Sequence, residues 1–107
     1  RDRMIWDVEY IPEAQQDFDR LDGSQKKIVR KAIEKVRQNP LPVEEGDYGK
    51  PLGNKDGHNL TGLLKIKILA AGIRIVYKLE RQGEIMVLVV IGMRGDDEVY
   101  EIAEKRK

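Results

Sequence analysis

Apolar and polar residues alternate at the start of the chain, with Trp6, Val8 and Tyr10 set against Asp7 and Glu9. That period predicts a strand over 5–10. Pro12 is suited to the first turn of a helix, and Ala14, Phe18 and Leu21 at i, i+4 and i+7 form a buried stripe on it. Asp22-Gly23-Ser24 breaks and restarts the chain. Either Asp22 or Ser24 can cap a second helix that runs to about Gln38, buries Val29, Ala32, Ile33 and Val36, and ends at Asn39-Pro40.

Residues 39–62 hold three prolines and five glycines without sustained periodicity, which predicts a long loop containing at most a turn of helix. Three strand-like runs follow, over about 63–70, 73–80 and 84–92, separated by an Ala-Gly turn and by Arg-Gln-Gly-Glu. The run from Ile85 to Ile91 is apolar on both faces, as a central strand covered on both sides requires. A helix from about Asp96 to Lys105 closes the chain. The order β, α, α, loop, β, β, β, α predicts an α+β domain in which a small, largely antiparallel sheet packs against an N-terminal helical hairpin and a C-terminal helix.

Composition narrows the chemistry. At 107 residues, 40% hydrophobic and 36% charged, the chain has material for one globular core and one site built on it. One domain is expected over 4–107, with Met4 a candidate start and Arg1 to Arg3 leader or foreign residues. The absence of cysteine excludes disulfides and thiolate chemistry, and a single histidine argues against a His-rich metal site, so neither metal nor other cofactor is expected. The longest apolar run falls far short of the ~20 residues that span a bilayer, so no membrane partner is expected and the protein is assigned to the cytoplasm.

A net charge of +1 argues against nonspecific polyanion binding, but the distribution is uneven. Acidic residues cluster at Glu44-Glu45-Gly46-Asp47 and Asp96-Asp97-Glu98, whereas 60–75 carries Lys65, Lys67 and Arg74 and no carboxylate. A two-residue turn at Ala71-Gly72 pairs Leu69 with Arg74 and Lys67 with Val76. Lys65, Lys67, Leu69, Arg74 and Val76 then share one face, with Arg74 diagonal to Lys67, while Leu64, Ile66, Ile68 and Ile75 take the other. A turn centred on Gln82-Gly83 brings the end of the last strand beside Arg74, so that Arg94 joins the cluster and Tyr100 leans over it from the closing helix. Single charged residues on a sheet are ordinarily just solvated. Converging cations without carboxylates repel one another unless an anion binds among them; Asp96 and Glu98 are candidate partners for Arg94.

Other residues carry weaker signals. His58 sits in a polar loop and reads as a surface residue, and Trp6 reads as core. Lys26, Lys27, Arg30, Lys31 and Lys35 on the second helix, interspersed with Glu34, read as a solvated face.

Leu64-Lys65-Ile66-Lys67-Ile68, Gly72-Ile73-Arg74-Ile75-Val76-Tyr77, Ile91-Gly92-Met93-Arg94 and Glu98-Val99-Tyr100 together resemble the RelE branch of the RelE/ParE toxin superfamily. The likeness extends through the helical hairpin with Phe18, Leu21 and Asp22. It implies a RelE-like, microbial ribonuclease-like fold and the toxin of a type II toxin-antitoxin system. Such a toxin is a metal-independent endoribonuclease that cuts mRNA in the ribosomal A site and halts translation, with a cognate antitoxin and the ribosome with its mRNA as partners. By motif, Lys65, Lys67, Arg74, Arg94 and Tyr100 are its catalytic residues. The 39–62 loop is longer than the family requires, and Asp96-Asp97 place acids where a more basic segment is expected.

The chemistry is coherent with those residues. Attack of a 2′-hydroxyl on the adjacent phosphate needs a base, an acid for the leaving 5′-oxygen and cations for the phosphorane charge. A lysine crowded by other cations holds its proton less tightly. Lys65 or Lys67 is the candidate base, Arg74 the phosphate ligand and Arg94 a second stabiliser or a group near the leaving oxygen; Tyr100 assists the base or stacks on a nucleobase. Two other functions remain on this scaffold. A ParE-like gyrase poison generally lacks the lysine pair, and an inactive antitoxin-binding module would not need it.

Overall fold

The computed structural model describes residues 5–46, 49–55, 57–93 and 95–107. β1 (Asp7–Tyr10) leads into α1 (Pro12–Asp19) and α2 (Gly23–Val36). After a short 3₁₀ turn at Val43–Glu45 come β2 (Lys50–Lys55), β3 (His58–Ile68), β4 (Ile73–Glu80), β5 (Ile85–Gly92) and α3 (Asp96–Arg106). The five strands lie in the order β1-β5-β4-β3-β2. β1 runs parallel to β5, because the α1-α2 hairpin carries the chain across one face, and every other pairing is antiparallel.

The predicted α+β arrangement is present, and local chemistry explains its helices. Pro12 begins α1 in the first turn. Asp22, not Ser24, caps α2: its side chain accepts from the Gln25 N–H at 2.8 Å, while the Gln25 side chain accepts from the Asp22 N–H at 3.0 Å, a reciprocal capping box. Ala14 and Phe18 of α1 and Val29, Ile33 and Val36 of α2 are buried on the sheet with Trp6, Leu64, Ile73, Ile75, Tyr77, Met86, Leu88 and Ile91. Across the sheet, Val99, Tyr100 and Ala103 of α3 pack on Leu52, Leu60, Leu63, Val76, Val89 and Val90. β5 is thus an interior strand, between β1 and β4, with both faces covered as its unbroken apolar run predicts.

The expected 39–62 loop is the main correction. It contains the 3₁₀ turn, all of β2 and the start of β3, which begins at His58 and not near 63. Pro51, Gly53 and Asn54 have poor strand propensity, so pairing creates this strand where propensity does not: Lys50 faces Lys65, Pro51 faces Leu64 and Gly53 faces Leu60, with a bulge whose extra residues lie on β3, and the proline is tolerated because β2 is an edge strand. Buried Leu52 and Leu60 anchor the hairpin beneath α3. At its entry, a Cβ on Gly49 would lie 2.5 Å from Leu64 Cδ2 and 2.7 Å from the Pro40 oxygen. Only glycine fits there.

The β3-β4 connection is a second correction. Leu69–Ala71 form a 3₁₀ turn closed by Gly72 in the left-handed region at φ 66°, in place of a two-residue hairpin turn. Leu69 is therefore outside the ladder and 83% exposed. Lys67 pairs with Arg74 and Lys65 with Val76, two residues from the expected register. A shift of two preserves the strand's parity, so the lysines and Arg74 keep the face assigned to them.

Candidate cationic site on the sheet

Two rows of side chains cross the sheet beneath α3. In one, Lys50, Lys65, Val76 and Val90 are successive cross-strand partners from β2 to β5; in the next, Lys67, Arg74 and Gly92 are. Facing residues in a ladder have Cβ atoms about 5 Å apart, so Lys67 and Arg74 are immediate neighbours and Lys65 lies one pleat away on the same face. Lys65 Nζ donates to the Tyr100 hydroxyl at 3.3 Å and lies 5.9 Å from the centre of its ring. Arg74 Nη1 approaches the Gly72 carbonyl oxygen at 3.5 Å. Lys65, Lys67, Arg74 and Tyr100 are therefore gathered as expected, while Arg94 and the question of its carboxylate partners lie outside the described residues.

Tyr100 is only 2% exposed, with its ring packed between α3 and the sheet. Base stacking, one of its two expected roles, is thus excluded in this conformation. Its hydroxyl is what it presents to the site. Lys50 is a cation that sequence reasoning missed: it lay in the supposed loop, and only its pairing with Lys65 puts it on the cationic face.

Two further sets of contacts hold α3 over this face. The β1 pairing ends at Leu88, which leaves an open edge on β5. There Asp17 and Arg106 stand in for the missing strand. Asp17 Oδ2 accepts from the Ile91 N–H at 3.1 Å, Arg106 Nη1 donates to the Val89 carbonyl at 3.0 Å, and the two side chains pair at 2.7 Å. They flank a bulge that places both Val89 and Val90 beneath α3 and brings Gly92 opposite Arg74.

At the far end of α3, Glu104 accepts from the Asn59 N–H at 2.9 Å and meets His58 Nδ1 at 3.1 Å. These contacts, the Asn59 bond first, hold the Glu104 carboxyl below the usual carboxylate range. His58, expected to be a surface residue without an obvious partner, instead has a side chain only 15% exposed and paired with Glu104. Lys107 donates to the Asn59 carbonyl. Among the described residues there is no cluster of three or more His, Cys, Asp or Glu that could hold a metal, and no helix is long and apolar enough to cross a membrane.

A five-stranded sheet with a helical hairpin on one face and a terminal helix on the other is the fold of the RelE toxins. A free-state variant of Escherichia coli RelE superposes with a TM-score of 0.75 at 20% identity, over 96% of this chain and 98% of that one. The toxin-antitoxin complex RelBE2 of Mycobacterium tuberculosis superposes at 0.67 with 21% identity, over 90% and 100%. No family model matches the chain. An Escherichia coli protein described as a RelE-like toxin is 29% identical over 104 residues, 96% of this chain and 98% of its own length. The chain is thus similar to a RelE-like toxin along nearly its whole length and shares the fold of the solved RelE proteins, in agreement with its motifs.

Proposed function

We propose that this chain is the toxin of a type II toxin-antitoxin system, and that it is a metal-independent endoribonuclease that cleaves mRNA in the ribosomal A site. The observation that carries this is the cross-strand pair Lys67-Arg74 beside the Lys65-Tyr100 contact, on one sheet face. Facing like charges repel across a ladder, and a phosphodiester placed between the two is attracted to both.

In the proposed mechanism Lys67 and Arg74 grip the scissile phosphate, Arg74 through two guanidinium N–H groups, and neutralise charge that develops on its non-bridging oxygens. Lys65, oriented by the Tyr100 hydroxyl and acting as the neutral amine, accepts the proton of the attacking 2′-hydroxyl and becomes the ammonium. The products are a 2′,3′-cyclic phosphate and a free 5′-hydroxyl. Arg94, two residues after Gly92 in the sequence, is assigned the leaving-oxygen side. An arginine keeps its proton, so its part is charge stabilisation, with solvent the source of the proton. Solved relatives on this fold include RelBE complexes, which supports a cognate antitoxin as partner.

The deciding experiment maps mRNA 5′ ends after brief induction, with and without ongoing translation. Codon-phased cuts that require translating ribosomes are expected. DNA breakage with intact mRNA would instead assign the chain to the gyrase-poisoning branch, and neither effect would leave antitoxin binding as its activity.

A further inference from the structure

The row Lys67-Arg74-Gly92 lies on a part of the sheet that projects beyond both edge strands. β1 ends beside Leu88 and β2 begins beside Lys65, so only β3, β4 and β5 continue to this row. Each open edge carries a concavity. Beside β3 lies one of about 210 Å³ whose lining includes Lys35, Lys50 and Lys65. Beside β5 lies another of about 300 Å³, between the α1-α2 corner, the exit of β5 and α3. They differ in chemistry: the first is a lysine notch, and the second has aliphatic walls with a few polar groups.

The second cavity has the features of a small-ligand site, apolar surface with a few convergent polar side chains. Leu21, Ile91 and Ile102 supply aliphatic wall, and Met93, 51% exposed, offers a thioether of the kind that packs against aromatic rings. Arg20 and Gln25 add donors from the α1-α2 corner. Gln25 already fixes its amide through the capping box, with Nε2 2.9 Å from the Met93 sulfur. The floor holds the Asp17-Arg106 pair, already satisfied by the β5 backbone. Gly92 lines this cavity and is also the ladder partner of Arg74, so one strand spacing of about 4.8 Å separates the cavity from the proposed phosphate ligand.

We propose that this cavity is a nucleobase subsite, which takes the base of a nucleotide flanking the scissile phosphate. Resting on the ribonuclease function proposed above, it gives the RNA a path across the projecting strands: backbone phosphates at the lysine notch, the scissile phosphate at Lys67 and Arg74, and the neighbouring base between Met93 and the aliphatic wall. Arg20 and Gln25 read the edge of that base by hydrogen bonding. The subsite supplies what buried Tyr100 does not, a surface for a base to lie on.

The test is a methyl and amide NMR titration of the full chain with 5′-GMP, 5′-AMP, 5′-CMP, 5′-UMP and ribose 5-phosphate. Base-dependent shifts at Leu21, Ile91, Met93 and Ile102 are expected, absent with ribose 5-phosphate. Equal shifts with the sugar phosphate, or shifts confined to Lys67 and Arg74, overturn the subsite. In ribosome-programmed cleavage, Arg20→Ala and Met93→Ala, both at exposed positions, are each expected to reduce the preference among bases at the cut by about tenfold. An unaltered preference in both variants likewise overturns it. Failure of the wild-type protein to cleave programmed mRNA overturns the ribonuclease function separately, and the titration then still decides whether the cavity holds a base.

Discussion

On the face of the sheet beneath α1 and α2, β3 and β4 present Leu64, Ile66, Ile68, Ile73, Ile75 and Tyr77, which pack into one continuous core. On the face beneath α3 the alternate residues are Leu63, Lys65, Lys67, Arg74 and Val76, and the apolar cluster there stops before the cations begin. The two faces share a backbone and differ in what covers them. Two helices with wide apolar stripes close the first. One helix of eleven residues, tied down by Tyr100, Glu104 and Arg106, covers the apolar part of the second and leaves charged positions at its margin. Stability should therefore be concentrated on one face and activity on the other.

The largest effect expected from that division is on catalysis. The double variant Lys67→Ala, Arg74→Ala removes the cross-strand pair and is expected to lower mRNA cleavage by about 10³-fold or more, with growth arrest abolished on induction. Thermal unfolding should be little changed, since relief of like-charge repulsion offsets the lost contacts; growth arrest at the wild-type level would sink the site. Leu88→Ala, on the opposite face at a fully buried position, is the converse. It is expected to cost about 3 kcal/mol in urea unfolding while the folded fraction keeps its turnover, so a catalytic loss without a stability loss would break the division of roles.

Arg106→Ala tests the joint between the faces. It leaves Asp17 and the Val89 carbonyl without their shared donor, for an expected cost of about 2 kcal/mol in chemical denaturation, with hydrogen exchange accelerated first in α3. Uniform acceleration over the whole sheet would show that α3 is not separately latched.

The smallest effect is a pH dependence. The carboxyl of Glu104 is held below its ordinary value by the Asn59 N–H and by His58. Its anchoring of α3 is therefore complete at neutral pH, above the unfolded-state carboxyl pKa, and is lost as pH falls through the lowered folded-state value. Exchange of the Asn59 amide should rise on acidification in the wild type and be nearly pH-independent, apart from intrinsic chemistry, in Glu104→Gln. A Gln variant that retains the acid-dependent loss would assign it to another group.

Much of this division was legible in the residues, and what was not has identifiable causes. The helical hairpin is readable because its stripes recur at helical spacing and Asp22-Gly23-Ser24 offers two capping residues at the restart, between which the reciprocal bonds to Gln25 decide. β2 was not, because Pro51, Gly53 and Asn54 carry turn chemistry and only the partner strand makes them extended. Lys50 was invisible as part of the site for the same reason. Tyr100 meets Lys65 as its position in the closing helix predicts, but its burial depends on how deeply α3 packs. His58 and Glu104 are 46 residues apart, and no local pattern joins them.

Strand alternation alone assigns each cation of β3 and β4 to its face, because the alternation is local and survives a register error of two residues. Which residues become neighbours depends on the folded arrangement. The 3₁₀ turn ending at Gly72 set Lys67 against Arg74, and the bulge in β5, flanked by Asp17 and Arg106, set Gly92 beside them. Both depend on where chain segments meet in space: turn geometry sets one register, and side chains more than seventy residues from the strand they complete, or just beyond it, support the other.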